Sequence, residues 1–497
     1  MSSAPESRTL RTLLHVPEAT SIGRGHTLGS PLGRRRVVAI FAVAVVVRIG
    51  YVLVFLRNYH PQTDAQHYID IATQLAHGHG FAADYPYVWV HATAFRPPLY
   101  PLLLGTAFAI TGVHLATAQA INVVLGSLVV VLIAILATRV GGRRAGLIAA
   151  GLATIYPPLL ANDGVPLSEP LGLLVMLAAV WALLAGRPGW AGIFAGLLVL
   201  TRPSAQLVVP LIALVMWRQV GWRRALGFTL TAVIVVAPWV IRNESIFHRP
   251  VLVTSNGFNL AAIYSPVALK AGHFVDPVFD PRFASVRDFG HSYVNLNEAN
   301  LDSAFRREGL KGIREHPGQV PSVVWLNVER LVDGTWSLND GPERQDGRPI
   351  GLRHATLPFV WLVEIAGAYA LFELARRARR DYRERTERDA RLGVGVIPLL
   401  ALYFFVVSIL TVSVPRLRAP DDALMIIAIG VLAAQLWERR RGRLADPQGT
   451  AHESAGRSLD EVGDVQSPGV VAAAVLAQPV RRVRHVKLVP WARAHYG

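Results

Sequence analysis

The chain has 497 residues, of which 52% are hydrophobic and 17% charged, against about 25% charged in ordinary soluble domains. The charges fall between long uncharged runs, which excludes one large soluble core and indicates several membrane spans. The formal net charge is +16, but the arginines occupy turns between apolar runs, where membrane orientation puts them, so the excess does not indicate nucleic acid. There are no cysteines, which excludes disulfides, thiolate metal sites and a cysteine nucleophile.

Residues 1–36 form a polar, Arg-rich leader expected to be disordered and cytoplasmic. Arg34-Arg35-Arg36 abuts the first apolar run, Val37–Leu56, whose only charge is Arg48. At 1.5 Å per residue this run spans about 30 Å, enough for the hydrocarbon layer. No small-residue cleavage site follows it, so the run is expected to be retained as a helix. A mid-span arginine requires an interior partner.

Further spans are predicted at Leu115–Thr138, Ala145–Leu160, Ser168–Ala185, Trp190–Thr201, Ala205–Trp217, Ala225–Ile241, Ala355–Ala375, Leu392–Thr411 and Pro420–Trp437. The expected fold is therefore an all-α polytopic membrane protein with about ten transmembrane helices, 8–12 allowing for short runs. The turns assigned to the inside are basic: Arg139, Arg143 and Arg144; Arg187; Arg218, Arg223 and Arg224; the run from Arg376 to Arg391; and Arg439 to Arg443. The run Pro97–Thr111 is expected to lie on the surface or re-enter, because a crossing there would move the basic turn at 139–144 outside.

This topology divides the chain into an N-terminal transmembrane module at 37–242 with a first outer loop at 57–96, and a large outer loop at 243–354. C-terminal helices at 355–437 and a cytoplasmic, largely disordered tail at 438–497 complete it. The segment 297–332 in the large loop is helix-like.

Asp64, in Thr63-Asp64-Ala65-Gln66-His67-Tyr68, starts a helical pattern with Ala65, Tyr68, Ile69, Ala72, Leu75 and Ala76 on one face. Such an acid serves equally as a helix cap or as a general base. Glu169, in Pro166-Leu167-Ser168-Glu169-Pro170, lies at the outer end of a span on the same side, where an acid is costly without a cavity or partner. The outer arginines are few: Arg96, Arg202, Arg242, Arg416 and Arg418. Each can fork onto phosphate oxygens or onto lipid headgroups. His67, His77, His79 and His91 lack the two-His helical spacing of a zinc protease, and no phosphate-binding glycine loop or nucleophile elbow is present.

Taken in order, these motifs resemble a family. The first-loop motif with His77-Gly78-His79-Gly80-Phe81, then Ala94-Phe95-Arg96-Pro97-Pro98-Leu99-Tyr100-Pro101, is similar to GT-C membrane glycosyltransferases. The nearest group is family 39-like, the protein mannosyltransferase and lipid A aminoarabinose transferase type. Ser168-Glu169, Leu200-Thr201-Arg202-Pro203, Pro238-Trp239-Val240-Ile241-Arg242-Asn243 and Thr254-Ser255-Asn256-Gly257 are similar to later signatures. The resemblance covers about Val37 to Trp437. It implies inverting transfer from a polyprenyl-phosphate sugar to a lipid, polysaccharide or protein hydroxyl on the outer face of a bacterial inner membrane. Asp64 would be the base and Glu169 its support or the acceptor's guide. Arg96, Arg202, Arg242, Arg416 and Arg418 would attend the donor phosphate. Tyr68, His91, Tyr100 and Asn256 would contact substrate. Some members need a divalent metal, and the sequence leaves that open. The competing class is a transporter or flippase of lipid-linked glycans, for which internal symmetry is expected and none is seen.

Overall fold

The computed structural model of the chain describes residues 32–84, 90–287, 297–383 and 388–445. The expectations for residues 1–31 and for the tail from 446 lie outside the described residues. The element order is α1 (Arg34–Phe55), α2 (Thr63–Ala76), β1 (Ala82–Ala83), β2 (His91–Ala92), α3 (Leu99–Thr111), α4 (Leu115–Ile155), α5 (Pro157–Asp163), α6 (Glu169–Leu184), α7 (Pro188–Val199), α8 (Val208–Val220) and α9 (Trp222–Phe247). The chain continues with α10 (Asn256–Tyr264), α11 (Pro266–Ala271), α12 (Glu298–Glu315), α13 (Val320–Leu331), α14 (Asp340–Gln345), α15 (Ile350–Arg383), α16 (Arg388–Leu410) and α17 (Ala419–Ala445). β1 and β2 form a two-residue antiparallel pair, with Ala82 opposite Ala92.

The protein is an α-helical polytopic membrane protein. Among the described residues, seven helices are long and apolar enough to cross a bilayer, and Leu99–Thr111, Glu169–Leu184 and Pro188–Val199 are shorter apolar helices. Their outward faces are apolar: Val46, Val54, Ile234, Ile365 and Phe372 are each more than 60% exposed. In water such a surface would drive aggregation, whereas lipid satisfies it. The interior is built from small and branched side chains, including Ile133, Leu136, Ala149, Leu177, Ala182, Ile212, Val396 and Ile427.

The spans predicted at Leu115–Thr138 and Ala145–Leu160 appear as the two halves of α4, joined at Gly142. Gly142 has φ 83° and ψ 174°, outside the helical region and open only to glycine at low cost. The halves fold back on each other there: a Cβ on Gly146 would lie 1.8 Å from Thr138 Oγ1 and 2.6 Å from the Ala134 carbonyl. The basic turn at Arg139, Arg143 and Arg144 is this hairpin corner. α9 runs past the predicted Ile241 to Phe247, ending at the left-handed His248. It can do so because the polar groups on that last stretch are satisfied: Asn243 Nδ2 donates to the Val251 carbonyl at 2.8 Å, and Arg242 donates to two carbonyls of the first loop.

The partner expected for Arg48 is Asp163 at the end of α5. Arg48 Nε donates to Asp163 Oδ2 at 2.6 Å, with both side chains almost fully buried. Gly126 of α4 makes room for that carboxyl group, since a Cβ there would lie 2.1 Å from Asp163 Cγ.

Candidate active site

Asp64 sits in the first turn of α2. Gln62 is the cap residue, and no side-chain cap bond is formed at that end. Thr63 just before it has φ 46°, a left-handed conformation that a β-branched residue adopts only where the surroundings impose it. The Asp64 carboxylate that follows it is held by two arginines. Arg96 Nη2 donates to Oδ1 and Arg416 Nη2 donates to Oδ2. The capping role left open by the sequence is thus not the one Asp64 fills.

Arg96 lies in the extended segment between β2 and α3, held on both sides. Its Nε donates to His67 Nδ1 at 3.2 Å, and its guanidinium carbon is 5.3 Å from the Tyr68 ring centre and 5.2 Å from that of Phe95. Phe95 in turn meets Phe258 edge-on at 5.3 Å, within an aromatic cluster that includes Phe283 and Phe305. Burial and the Arg96 charge both push His67 well below its usual range, so its ring is neutral and Nδ1 accepts.

Arg416 comes from the 3-10 turn Pro415–Arg418 that leads into α17. Besides Asp64 it meets Asp346, with Nε 3.2 Å from Oδ2, and Glu169, with Nε 4.0 Å from Oε1. Glu169 opens α6 and is paired with Arg202 Nη1 at 2.9 Å. Arg202 reaches it across Gly172, where a Cβ would lie 2.9 Å from Arg202 Cγ. The cluster is a chain of alternating charge: Arg96, Asp64, Arg416, Glu169, Arg202, with Asp346 as a branch at Arg416.

The segment carrying Ser168 and Glu169 is fixed from behind. Tyr68 and Ser168 share a hydrogen bond between hydroxyls at 3.0 Å. Tyr100 packs edge-on to Tyr68 at 5.1 Å and donates to Asn122 Oδ1 at 3.1 Å. Asn122 Nδ2 donates to the carbonyls of Val165 and of Leu167, the latter at 3.0 Å. Tyr68 and Tyr100 therefore brace the segment that carries Glu169.

Burial raises the Asp64 pKa, but Arg96 and Arg416 together outweigh it and hold the carboxyl well below the usual carboxylate range. Burial dominates at Asp346, whose pKa is pushed up to about 6 despite Arg416 and Arg348. The Asp64 side chain is 29% exposed, against 4% for Glu169, so Asp64 is the more accessible of the two acids.

The structure brings together Asp64, Glu169, Arg96, Arg202, Arg416, Tyr68 and Tyr100. The other candidates are engaged elsewhere. Arg242 donates to the carbonyls of Thr93 at 2.7 Å and Phe81 at 2.9 Å, and lies 4.8 Å over the Trp239 ring, pinning the first loop. Arg418 is buried with Asp422 at 3.0 Å, Glu364 and the Leu331 carbonyl. His91 meets Glu298 at 3.2 Å, where Glu298 also accepts from Thr93 and Thr254. Asn256 exchanges hydrogen bonds with Gln206. Asp346 was not singled out in the sequence: it lies in a charged stretch of the large loop with no motif around it. Among the described residues, no group of three or more His, Asp or Glu is arranged to hold a metal ion.

No protein-family model matches the sequence, and no curated protein does. Among solved structures, the chain is similar to the oligosaccharyltransferase of Archaeoglobus fulgidus in its apo form, at 14% identity over 83% of this chain and 52% of that one, with a TM-score of 0.49. The same enzyme tethered to an acceptor peptide containing the NVT sequon matches at 15% identity, 82% and 50% coverage and a TM-score of 0.48. ArnT from Cupriavidus metallidurans, bound to undecaprenyl phosphate, is similar at 16% identity over 81% of this chain and 79% of that one, with a TM-score of 0.36. The chain spans about half the length of the archaeal enzyme.

Proposed function

We propose that the chain is an inverting membrane glycosyltransferase. It moves a sugar from a polyprenyl-phosphate donor to a hydroxyl of a lipid, polysaccharide or protein acceptor at the outer face of a bacterial cytoplasmic membrane. One observation carries this reading: a partly exposed carboxylate, Asp64, is clamped by two arginines beside a second acid–arginine pair, Glu169 and Arg202. The order of the motifs that supply these residues supports the same family.

In the transfer, the bond between the anomeric carbon and the phosphate oxygen breaks, and its electron pair leaves on the phosphate. The acceptor oxygen bonds to the opposite face of that carbon, and its proton passes to Asp64. Arg96 and Arg416 neutralise the departing phosphate. Glu169, held by Arg202, orients the acceptor.

With both guanidiniums on it, Asp64 is a weak base, because a base works best with a pKa near the operating pH. Among Asp64, Glu169, Asp346, Arg96, Arg202 and Arg416, acids and bases balance, so an incoming phosphate must take a guanidinium from a carboxylate. When Arg96 or Arg416 turns to the phosphate, Asp64 regains the basicity of an ordinary carboxylate. Donor binding and base activation are then one event.

The test is the purified protein in lipid with a panel of radiolabelled polyprenyl-phosphate sugars and a membrane extract as acceptor. Release of polyprenyl phosphate matched by label in the acceptor is expected. Passage of intact donor between leaflets with no release would replace this reading by a transporter.

A further inference from the structure

A cavity of about 390 Å³ lies beside the cluster, between the end of α1 and the segment after α14. That is within the ~300–1,000 Å³ range of small-molecule sites. One rim is apolar and belongs to the membrane helix: Val54 is 70% exposed and Phe55 43%. The other rim is polar and cationic, with exposed Arg57, Asn58, His60 and Arg344. Tyr59 forms part of the wall, and its ring is packed against Gly347, where a Cβ would lie 2.5 Å from Tyr59 Cδ2. Gly347 also has φ 74°, so that close wall needs glycine twice over. The Tyr59 hydroxyl is buried against the Gln62 backbone, close to Asp346, Arg416 and Asp64. Gln62, on the cavity wall, is two residues from Asp64.

We propose that this cavity is the acceptor site and takes the anionic, hydroxyl-bearing head group of a membrane-embedded acceptor. Arg57 and Arg344 receive the phosphate or carboxylate of the head group, since two exposed guanidiniums on one rim match an anion and not a neutral sugar. Val54 and Phe55 meet the start of its apolar chains, which holds the molecule at the boundary between lipid and water. The Tyr59 hydroxyl, whose oxygen faces the Gln62 backbone, donates its proton in a hydrogen bond to the acceptor and leads the acceptor's reacting hydroxyl towards Asp64. The acceptor role rests on the glycosyltransferase reading, whereas the anion preference does not.

The experiment compares the full-length protein with an Arg57→Glu/Arg344→Glu variant, and with an Arg57→Gln/Arg344→Gln variant in case charge reversal disturbs folding. Each is purified in detergent micelles doped with phosphatidylglycerol or phosphatidylcholine, and retained lipid is measured by native mass spectrometry. Wild type should retain phosphatidylglycerol over phosphatidylcholine, and either variant should lose about tenfold of that preference. Inorganic phosphate that displaces the lipid fully would show that the site reads a free anion and overturn the membrane-embedded occupant. Equal retention of both lipids, or no change in both variants, would overturn the site. Undecaprenyl phosphate binding should be the same in all three proteins. Its loss in the variants would assign the cavity to the donor and sink the acceptor role, leaving the Asp64 cluster untouched. Passage of intact donor between leaflets with no release of polyprenyl phosphate would instead sink the glycosyltransferase reading, and the lipid preference would still stand or fall on its own.

Discussion

Arg416 and Asp64 are 352 residues apart in sequence and share a direct hydrogen-bonded ion pair, Nη2 to Oδ2. The 3-10 turn that leads into α17 thus packs against the start of α2. Arg416 is only 12% exposed and also faces Asp346 and Glu169, so it serves all three carboxylates of the cluster.

Removing it should therefore be costly. Arg416→Ala leaves the buried Asp346 without its closest cation, and losing one partner of a buried pair costs about 3–5 kcal/mol. Asp64 is more exposed and contributes less to that loss. Thermal unfolding in detergent should show a clear drop for Arg416→Ala and a smaller one for Arg96→Ala, whose guanidinium serves Asp64 alone among the acids. Equal, small shifts would contradict the central place given to Arg416.

Two of the three acids on Arg416, Asp64 and Asp346, predict opposite pH dependences. Asp64 has its pKa lowered on folding, so its contribution to stability is present above the unfolded value of about 3.9 and lost as pH falls through the folded one. Asp346 is raised to about 6, so between about pH 4 and 6 the folded state holds a proton that the unfolded state has released. Stability must then fall as pH rises through that window and level off above it. Asp346→Asn should reduce this slope between pH 4 and 6, measured as Tm against pH. An unchanged slope would show that Asp346 is not the group responsible.

Gly172→Ala tests how Arg202 reaches Glu169. The added methyl would press on Arg202 Cγ at 2.9 Å, near the stem of the side chain and not its mobile end. The protein should fold, lose about 1–3 kcal/mol of stability and bind acceptor less well, because Glu169 loses its fixed partner. A rise in KM for acceptor with donor binding intact is the expected signature.

Gly126→Ala tests the intramembrane pair. A Cβ at 2.1 Å from the Asp163 carboxyl carbon must push that group off Arg48, leaving two charges poorly matched in a dry interior. The thermal midpoint in detergent should fall markedly, and an unchanged midpoint would contradict the close packing of Gly126 on Asp163.

Much of this cluster is legible in the sequence because short local motifs deliver it. Asp64 starts an amphipathic pattern, Arg96 precedes a proline pair, and Glu169 and Arg202 each sit beside a proline at the end of an apolar run. What a linear sequence does not carry is which arginine turns to an acid. Arg242 and Arg418 stand in contexts like those of Arg96 and Arg416, yet Arg242 caps loop carbonyls and Arg418 is held by Glu364 and Asp422. Those partners lie between 4 and 161 residues away, a range that gives no periodic signal. Asp346 escapes for the same reason: its only marker is contact with Arg416 across the fold. The hairpin in α4 was visible as a basic break between two apolar runs, but its sharpness depends on the φ of Gly142 alone.

The most direct test of the proposed chemistry is single-turnover sugar transfer by wild type and Asp64→Asn, with polyprenyl phosphate binding measured on the same preparations. Loss of a general base should lower turnover by about 10²–10⁴-fold. Polyprenyl phosphate binding should be kept or strengthened, because Arg96 and Arg416 no longer have a charged carboxylate to leave. Wild-type turnover in Asp64→Asn would contradict Asp64 as the base, and loss of polyprenyl phosphate binding with it would contradict the exchange of arginines between carboxylate and phosphate.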